Sequence, residues 1–97
     1  MTTPEGKVKD QVKKLLKKYD VYFHMVVQNG LGAPSLDFIC CHNGRYIAIE
    51  TKAAGCKPTP RQLVTMTEMK VAGAFVFVVS CDAELRVLEA YLVLTGA

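Results

Sequence analysis

Two carboxylates and an ammonium stand at spacings that a β-hairpin would gather in one place. The stretch SLDFICCHNGRYIAIETK, residues 35–52, alternates in polarity, is rich in Phe, Ile, Tyr and Cys, and has Asn43-Gly44 at its centre. That dipeptide is a strong signal for a two-residue type I′ turn, in which both loop residues take positive φ. With Asn43 and Gly44 in the loop, His42 faces Arg45, and counting outward places Asp37 directly opposite Glu50 as a non-hydrogen-bonded pair. Such pairs bring Cα atoms to about 4.5 Å. Like charges so placed destabilise a sheet, so the register implies a cation between them. Lys52, two residues beyond Glu50 on the same strand, projects from the same face. Two hard oxygen ligands beside an ammonium suit Mg²⁺ or Mn²⁺ with retained waters, a donor set fitted to hydrolysis of a phosphodiester. A surface ion pair between Lys52 and either acid is the simpler alternative. It leaves the opposition of Asp37 and Glu50 without a reason.

The elements that must position these groups can be read on either side. Thr3 caps a helix that has Pro4 in its first turn and Val8, Val12, Leu15, Leu16 and Tyr19 along one apolar stripe. Its other face is cationic: Lys7, Lys9, Lys13, Lys14, Lys17 and Lys18 are half of the twelve basic residues of a chain whose net charge is +3. The run reads either as a solvated face or, beside clustered acids, as a contact surface for a polyanion. Val21 to Val27 reads as a strand, and a loop containing Gly30, Gly32 and Pro34 delivers Asp37. After the hairpin, Gly55 breaks the strand, and Thr59 and Pro60 open a second helix that Gly73 stops after Ala72. The apolar run Ala74 to Ser80 predicts a strand covered on both faces and central in its sheet, joined to the preceding strand by a right-handed parallel crossover. A last helix, Ala83 to Leu94 with Asp82 as its cap, completes the order αβββαβα in one α/β domain, a mixed sheet flanked by helices.

Ninety-seven residues allow one core and no second domain. Residues 71–81, the longest apolar run, fall short of the roughly 18 needed to span a bilayer. The polar, lysine-rich start does not resemble a signal peptide, so the expectation is an intracellular, soluble protein. Cys40, Cys41, Cys56 and Cys81 lack metal-ligand spacing, and His24 and His42 stand apart, so these read as packing or loop residues. The hydrophobic share, 51%, is high for so small a domain, and the last helix is apolar over a wide arc; both predict a homodimer.

Leu36-Asp37, Ile49-Glu50-Thr51-Lys52 and Gln62 at a helix start resemble the PD-(D/E)XK nuclease superfamily, and the details are similar to its virus-type replication-repair nuclease (VRR-NUC) branch. Gly30, Gly32, Pro34, Asp37, Glu50, Lys52, Gly55, Lys57, Gln62, Gly73 and the Phe75 to Val79 strand follow that pattern in order. Here Ser35 and Leu36 separate Pro34 from Asp37, where the branch has proline and aspartate adjacent. The resemblance implies a restriction-endonuclease-like core and a metal-dependent DNA endonuclease selective for DNA structure, with resolution of Holliday junctions as one form of it. It implies Asp37, Glu50 and the Thr51 carbonyl as ligands of Mg²⁺ or Mn²⁺, Lys52 as the residue positioning the attacking water, Gln62 as support, and Glu5 as a candidate first-helix acid. Lys7, Lys14, Lys57 and Arg61 are the candidate contacts to DNA. A nicking or restriction-like nuclease without junction preference, and a binding module that has lost catalysis, are the competing readings.

Overall fold

In the computed structural model, which describes residues 3–27 and 34–96, the order is α1 (Pro4–Lys18), β1 (Tyr22–Met25), β2 (Phe38–His42), β3 (Arg45–Thr51), α2 (Pro60–Val71), β4 (Phe75–Val79) and α3 (Asp82–Thr95). The expected order αβββαβα is observed. Gly30 and Gly32 of the expected loop lie outside the described residues.

Local chemistry explains the boundaries. The Thr3 hydroxyl accepts from the Gly6 N–H at 3.0 Å, with Pro4 in the first turn of α1. Asn43 and Gly44 have φ of 49° and 80°, the pair of left-handed residues that a type I′ turn needs. The hairpin register follows: His42↔Arg45, Cys40↔Ile47 and Phe38↔Ile49 are partners, as the turn predicts. Gly73, at φ 108°, ends the second helical segment one residue past its Ala72 cap.

The sheet runs β1-β2-β3-β4, antiparallel except for the parallel β3–β4 pair that the α2 crossover makes. Its two faces are covered differently. Val12 and Leu16 of α1 and Leu88 and Leu92 of α3 pack on Phe38, Ile47 and Ile49. Met66 of α2 packs with Leu36 and Ala48 on the other side. Alternation along β3 therefore points Ile47 and Ile49 to α1 and α3, and Ala48 and Glu50 to α2.

Two expectations need correction. The strand after α2 is not central: among the described residues β4 pairs only with β3 and forms an edge. Its apolar run reflects cover by α2 above and α3 below, and hydropathy reports cover of the faces without reporting lateral neighbours. The last helix begins at Asp82, with Cys81 as a cap whose side chain makes no capping bond and whose thiol instead donates to Glu84 Oε1 at 3.7 Å. Asp82 pairs instead with Arg86 at 2.8 Å. The helix entry is tied by Glu84, whose Oε1 accepts from the Ser80 N–H at 2.8 Å and the Ser80 hydroxyl at 2.6 Å, holding its carboxyl below the usual range.

Candidate active site

The hairpin ladder stops at Phe38↔Ile49, one pair short of Asp37 and Glu50. At Asp37 the chain stays with β1, since the Asp37 carbonyl accepts from the Val26 N–H at 2.9 Å, and parts from β3. Leu36 accordingly packs on the α2 face, where an unbroken β2 would have sent it to the face shared with Phe38. Into this fork at the carboxyl end of β3 the Asp37 side chain turns. Its Oδ2 accepts from both the Thr51 N–H, at 2.9 Å, and the Thr51 hydroxyl, at 2.8 Å. The side-chain carboxylate thus takes over the donor that a continued β2 would have paired.

Asp37 and Glu50 are therefore not the opposed ladder pair that the turn predicts; they lie near each other across the fork, each with its own partners. Glu50, 3% exposed, faces α2. Its Oε2 accepts from Gln62 Nε2 at 2.8 Å and lies 3.5 Å from Lys52 Nζ. Burial raises the Glu50 carboxyl above the ordinary value, the Asp37 charge raises it further, and Lys52 and the Asp37 backbone N–H pull against both. The repulsion between the two acids that the register predicts is present, though spread over a fork rather than across a closed ladder.

Gln62 is oriented by the start of α2. Its Oε1 accepts from the Thr59 N–H at 2.9 Å while the Thr59 hydroxyl accepts from the Gln62 N–H at 3.2 Å, a reciprocal capping box. With the amide oxygen so occupied, the amide nitrogen is directed at Glu50. One residue thus closes the helix end and supports the buried acid.

Glu5 reaches this place through a residue the sequence reading did not single out. Lys9 Nζ lies 3.8 Å from Glu5 Oε2 and 3.8 Å from Asp37 Oδ1. The signal was available in the i,i+4 spacing of Glu5 and Lys9 on one flank of α1. Lys7 and Lys14 lie elsewhere: seven residues apart, with Lys18 four further on, they share the opposite flank, where Lys18 meets Glu89 of α3 at 3.2 Å. They are not gathered with the acids. Lys57 and Arg61 are exposed, on the loop before α2 and in its first turn, beside Gln62.

The donor set can be tested against a divalent ion. Among the described residues no group of three or more His, Cys, Asp or Glu side chains is gathered to hold a metal. Mg²⁺ and Mn²⁺ do not require one, since one or two carboxylates with backbone oxygen and water suffice. Asp37 has one oxygen fixed by Thr51 and the other, Oδ1, at longer range from Lys9. The Thr51 carbonyl lies on the same strand edge as its N–H, toward Asp37. Asp37 Oδ1, the Glu50 carboxylate and this carbonyl are hard oxygens at one fork, and the set fits. No helix among the described residues is long and apolar enough to cross a membrane.

No protein-family model matches the chain, and no curated protein matches it. Among solved structures, one described as "VRR_NUC domain" superposes with a TM-score of 0.80 at 24% sequence identity, covering 93% of this chain and 98% of that one. At that identity the likeness speaks for the fold, and nearly end to end on both chains. The architecture built above, with its antiparallel hairpin, parallel crossover and forked strand, is the fold of a VRR-NUC domain.

Proposed function

We propose that the chain is a metal-dependent nuclease that hydrolyses phosphodiester bonds of DNA at the fork between Asp37 and Glu50. One observation carries the reading: Asp37, Glu50, Lys52 and Gln62, from three successive elements of the chain, converge at the carboxyl end of β3. A purely structural site would not bury Glu50 beside a second carboxylate that raises its affinity for a proton.

Asp37, Glu50 and the Thr51 carbonyl would hold Mg²⁺ or Mn²⁺. Such an ion supplies charge neutralisation at the phosphate and a water of lowered pKa. The chain's own residues do the rest. Thr51 fixes one oxygen of Asp37, Gln62 fixes one oxygen of Glu50, and Lys52, its side chain 15% exposed, would orient with its ammonium the water that attacks phosphorus. Glu5 lies at the rim through Lys9. Lys57 and Arg61 would meet flanking phosphates from the α2 side, and Lys7 and Lys14 a more distant length of strand. The expected substrate is branched DNA, cut by a two-fold homodimer inside the cell.

The test is cleavage of linear, flapped and four-way DNA by the purified protein, with Mg²⁺, with Mn²⁺ and in chelator. Cutting that requires metal and prefers the branched substrates supports the whole reading. Equal cutting of linear DNA would favour a nuclease without junction preference, and binding without cutting would favour a module that retains only affinity.

A further inference from the structure

The two oxygens of the Asp37 carboxylate have different duties. Oδ2 is held twice by Thr51, which leaves Oδ1 as the oxygen that the proposed site offers a divalent ion. That same Oδ1 faces a cation of the chain itself. Lys9 Nζ lies 3.8 Å from it and 3.8 Å from Glu5 Oε2, so this ammonium stands between an acid of the fork and an acid of its own helix. Lys9 and the ion therefore contend for one oxygen, and as like charges they also repel each other.

The two lysines near the acids are not held alike. Lys52 Nζ is 3.5 Å from Glu50 Oε2 and its side chain is 15% exposed, whereas the Lys9 side chain is 32% exposed. Both Lys9 distances exceed the roughly 2.7–2.9 Å of a charged hydrogen bond, and pairs so long and so open to water part easily. The backbone at Lys9 is fixed, because Val8 and Val12 on either side of it are packed in the core, but its four-carbon arm can carry the ammonium elsewhere. Where it can go is set by the helix. Lys9, Lys13 and Lys17 recur at spacings of four along one ridge of α1, a row of cations that begins at Asp37 and leads away from it. Such a row suits the regularly spaced charges of a phosphate backbone.

We infer that Lys9 couples the two ligands of the site: a backbone phosphate of DNA lying on this ridge draws the ammonium off Asp37 Oδ1, so that DNA tightens binding of the divalent ion. By reciprocity the ion tightens binding of DNA by the same factor. Without such a phosphate the ammonium holds the oxygen against the ion. The inference rests on the nuclease reading of the fork, and adds to it a positioning residue that acts through Asp37.

Calorimetric titration of Mn²⁺ into the full chain tests it, alone and with a saturating linear duplex of about 20 base pairs, phosphate contacts being indifferent to sequence. Phosphorothioate linkages keep the charge of that duplex and resist hydrolysis, and its own uptake of Mn²⁺ is subtracted. Without DNA, Lys9→Met should bind Mn²⁺ about fivefold more tightly than wild type, at the low end of coupling between sites because the pair is partly exposed. Lys9→Gln should do the same, since the charge is what contends. Lys17→Met, which removes an equal charge about 12 Å farther along the helix, should bind as wild type does. With the duplex, wild type and both Lys9 variants should bind Mn²⁺ alike. Equal affinities without DNA would show that Lys9 does not contend for Asp37, and a difference that persists with the duplex would show that phosphate does not draw it away; either overturns the inference. An equal gain in Lys17→Met reduces the effect to net charge and overturns it as well. A wild-type chain that binds no Mn²⁺ in either condition overturns the nuclease reading, and this inference with it.

Discussion

Thr51 donates twice to a single oxygen of Asp37, through its backbone N–H and its hydroxyl, at 2.9 and 2.8 Å. The hydroxyl can be removed alone. Thr51→Val keeps the shape and the N–H and should lower stability to chemical denaturation by about 1–2 kcal/mol, as expected for a hydrogen bond to a charged group. Freed to rotate, Asp37 should also bind Mn²⁺ more weakly by calorimetry. An unchanged affinity would mean that the N–H alone orients the carboxylate.

Glu50 gives a prediction with a sign. Its folded carboxyl is raised by burial and by Asp37. Between the ordinary value of 4.5 and the raised one, the native state keeps a proton that the unfolded chain has lost. Stability contributed by Glu50 is therefore present at low pH and lost as pH rises through that window. In chelator at neutral pH, Glu50→Gln should melt higher than wild type, by roughly a few degrees, and should lack that part of the pH slope. Millimolar Mn²⁺ should reverse the order, because only the wild-type site gains from mass action. A mutant that melts lower in chelator would show that the buried charge is compensated by Gln62 and Lys52.

Gln62→Glu separates the two duties of one side chain. A glutamate satisfies a capping box as well as a glutamine does, so α2 should begin unchanged. Facing Glu50, however, it becomes a like charge in place of a donor. The melting temperature in chelator should fall at neutral pH, by about 1 kcal/mol or more in stability, one pKa unit being worth about 1.4 kcal/mol, and recover on acidification. Thr59→Ala should instead cost about 1 kcal/mol of helix cap at every pH.

On the proposed reading, Lys52→Ala and Asp37→Asn should each abolish cleavage while leaving DNA affinity within about threefold, since affinity would then rest on exposed lysines and arginine rather than on the fork. Filter binding in chelator beside a cleavage assay in Mn²⁺ checks both. Wild-type cutting by either variant would remove the active-site assignment.

The thiols offer a check on the packing itself. Burial pushes Cys40 up to about 12, while Cys41, Cys56 and Cys81 are exposed. A colourimetric thiol titration of the native protein should count three reactive groups quickly and the fourth only on unfolding.

Much of this was legible because it is local. Asn43-Gly44 dictates a turn, the turn dictates a register, and the register brings Asp37 beside Glu50; Thr59 and Gln62 announce their helix start in four residues. What the sequence did not disclose depends on distant parts meeting. The fork at Asp37 arises because β2 follows β1 and leaves β3, a choice between two neighbours that no alternation of polarity records. Lys9 matters only once α1 is laid beside that fork. The edge position of β4 was misread for a related reason, since a helix on each face makes an edge strand as apolar as a central one.

The far end of the hairpin is moored. Asn43 Nδ2 donates to the Thr95 carbonyl at 2.8 Å, and His42 Nε2 lies 3.3 Å from the Leu92 carbonyl, so the turn is tied to the last residues of α3. Five ladder pairs separate that mooring from the acids, roughly 17 Å at the rise of a strand. A slip of one residue would turn every side chain of β3 to the opposite face. The alignment of Asp37 with Glu50 is thus guarded from the opposite end of the molecule, and substitutions at Asn43 or at the end of α3, touching neither acid, are where inactivating changes with an intact active site should be found.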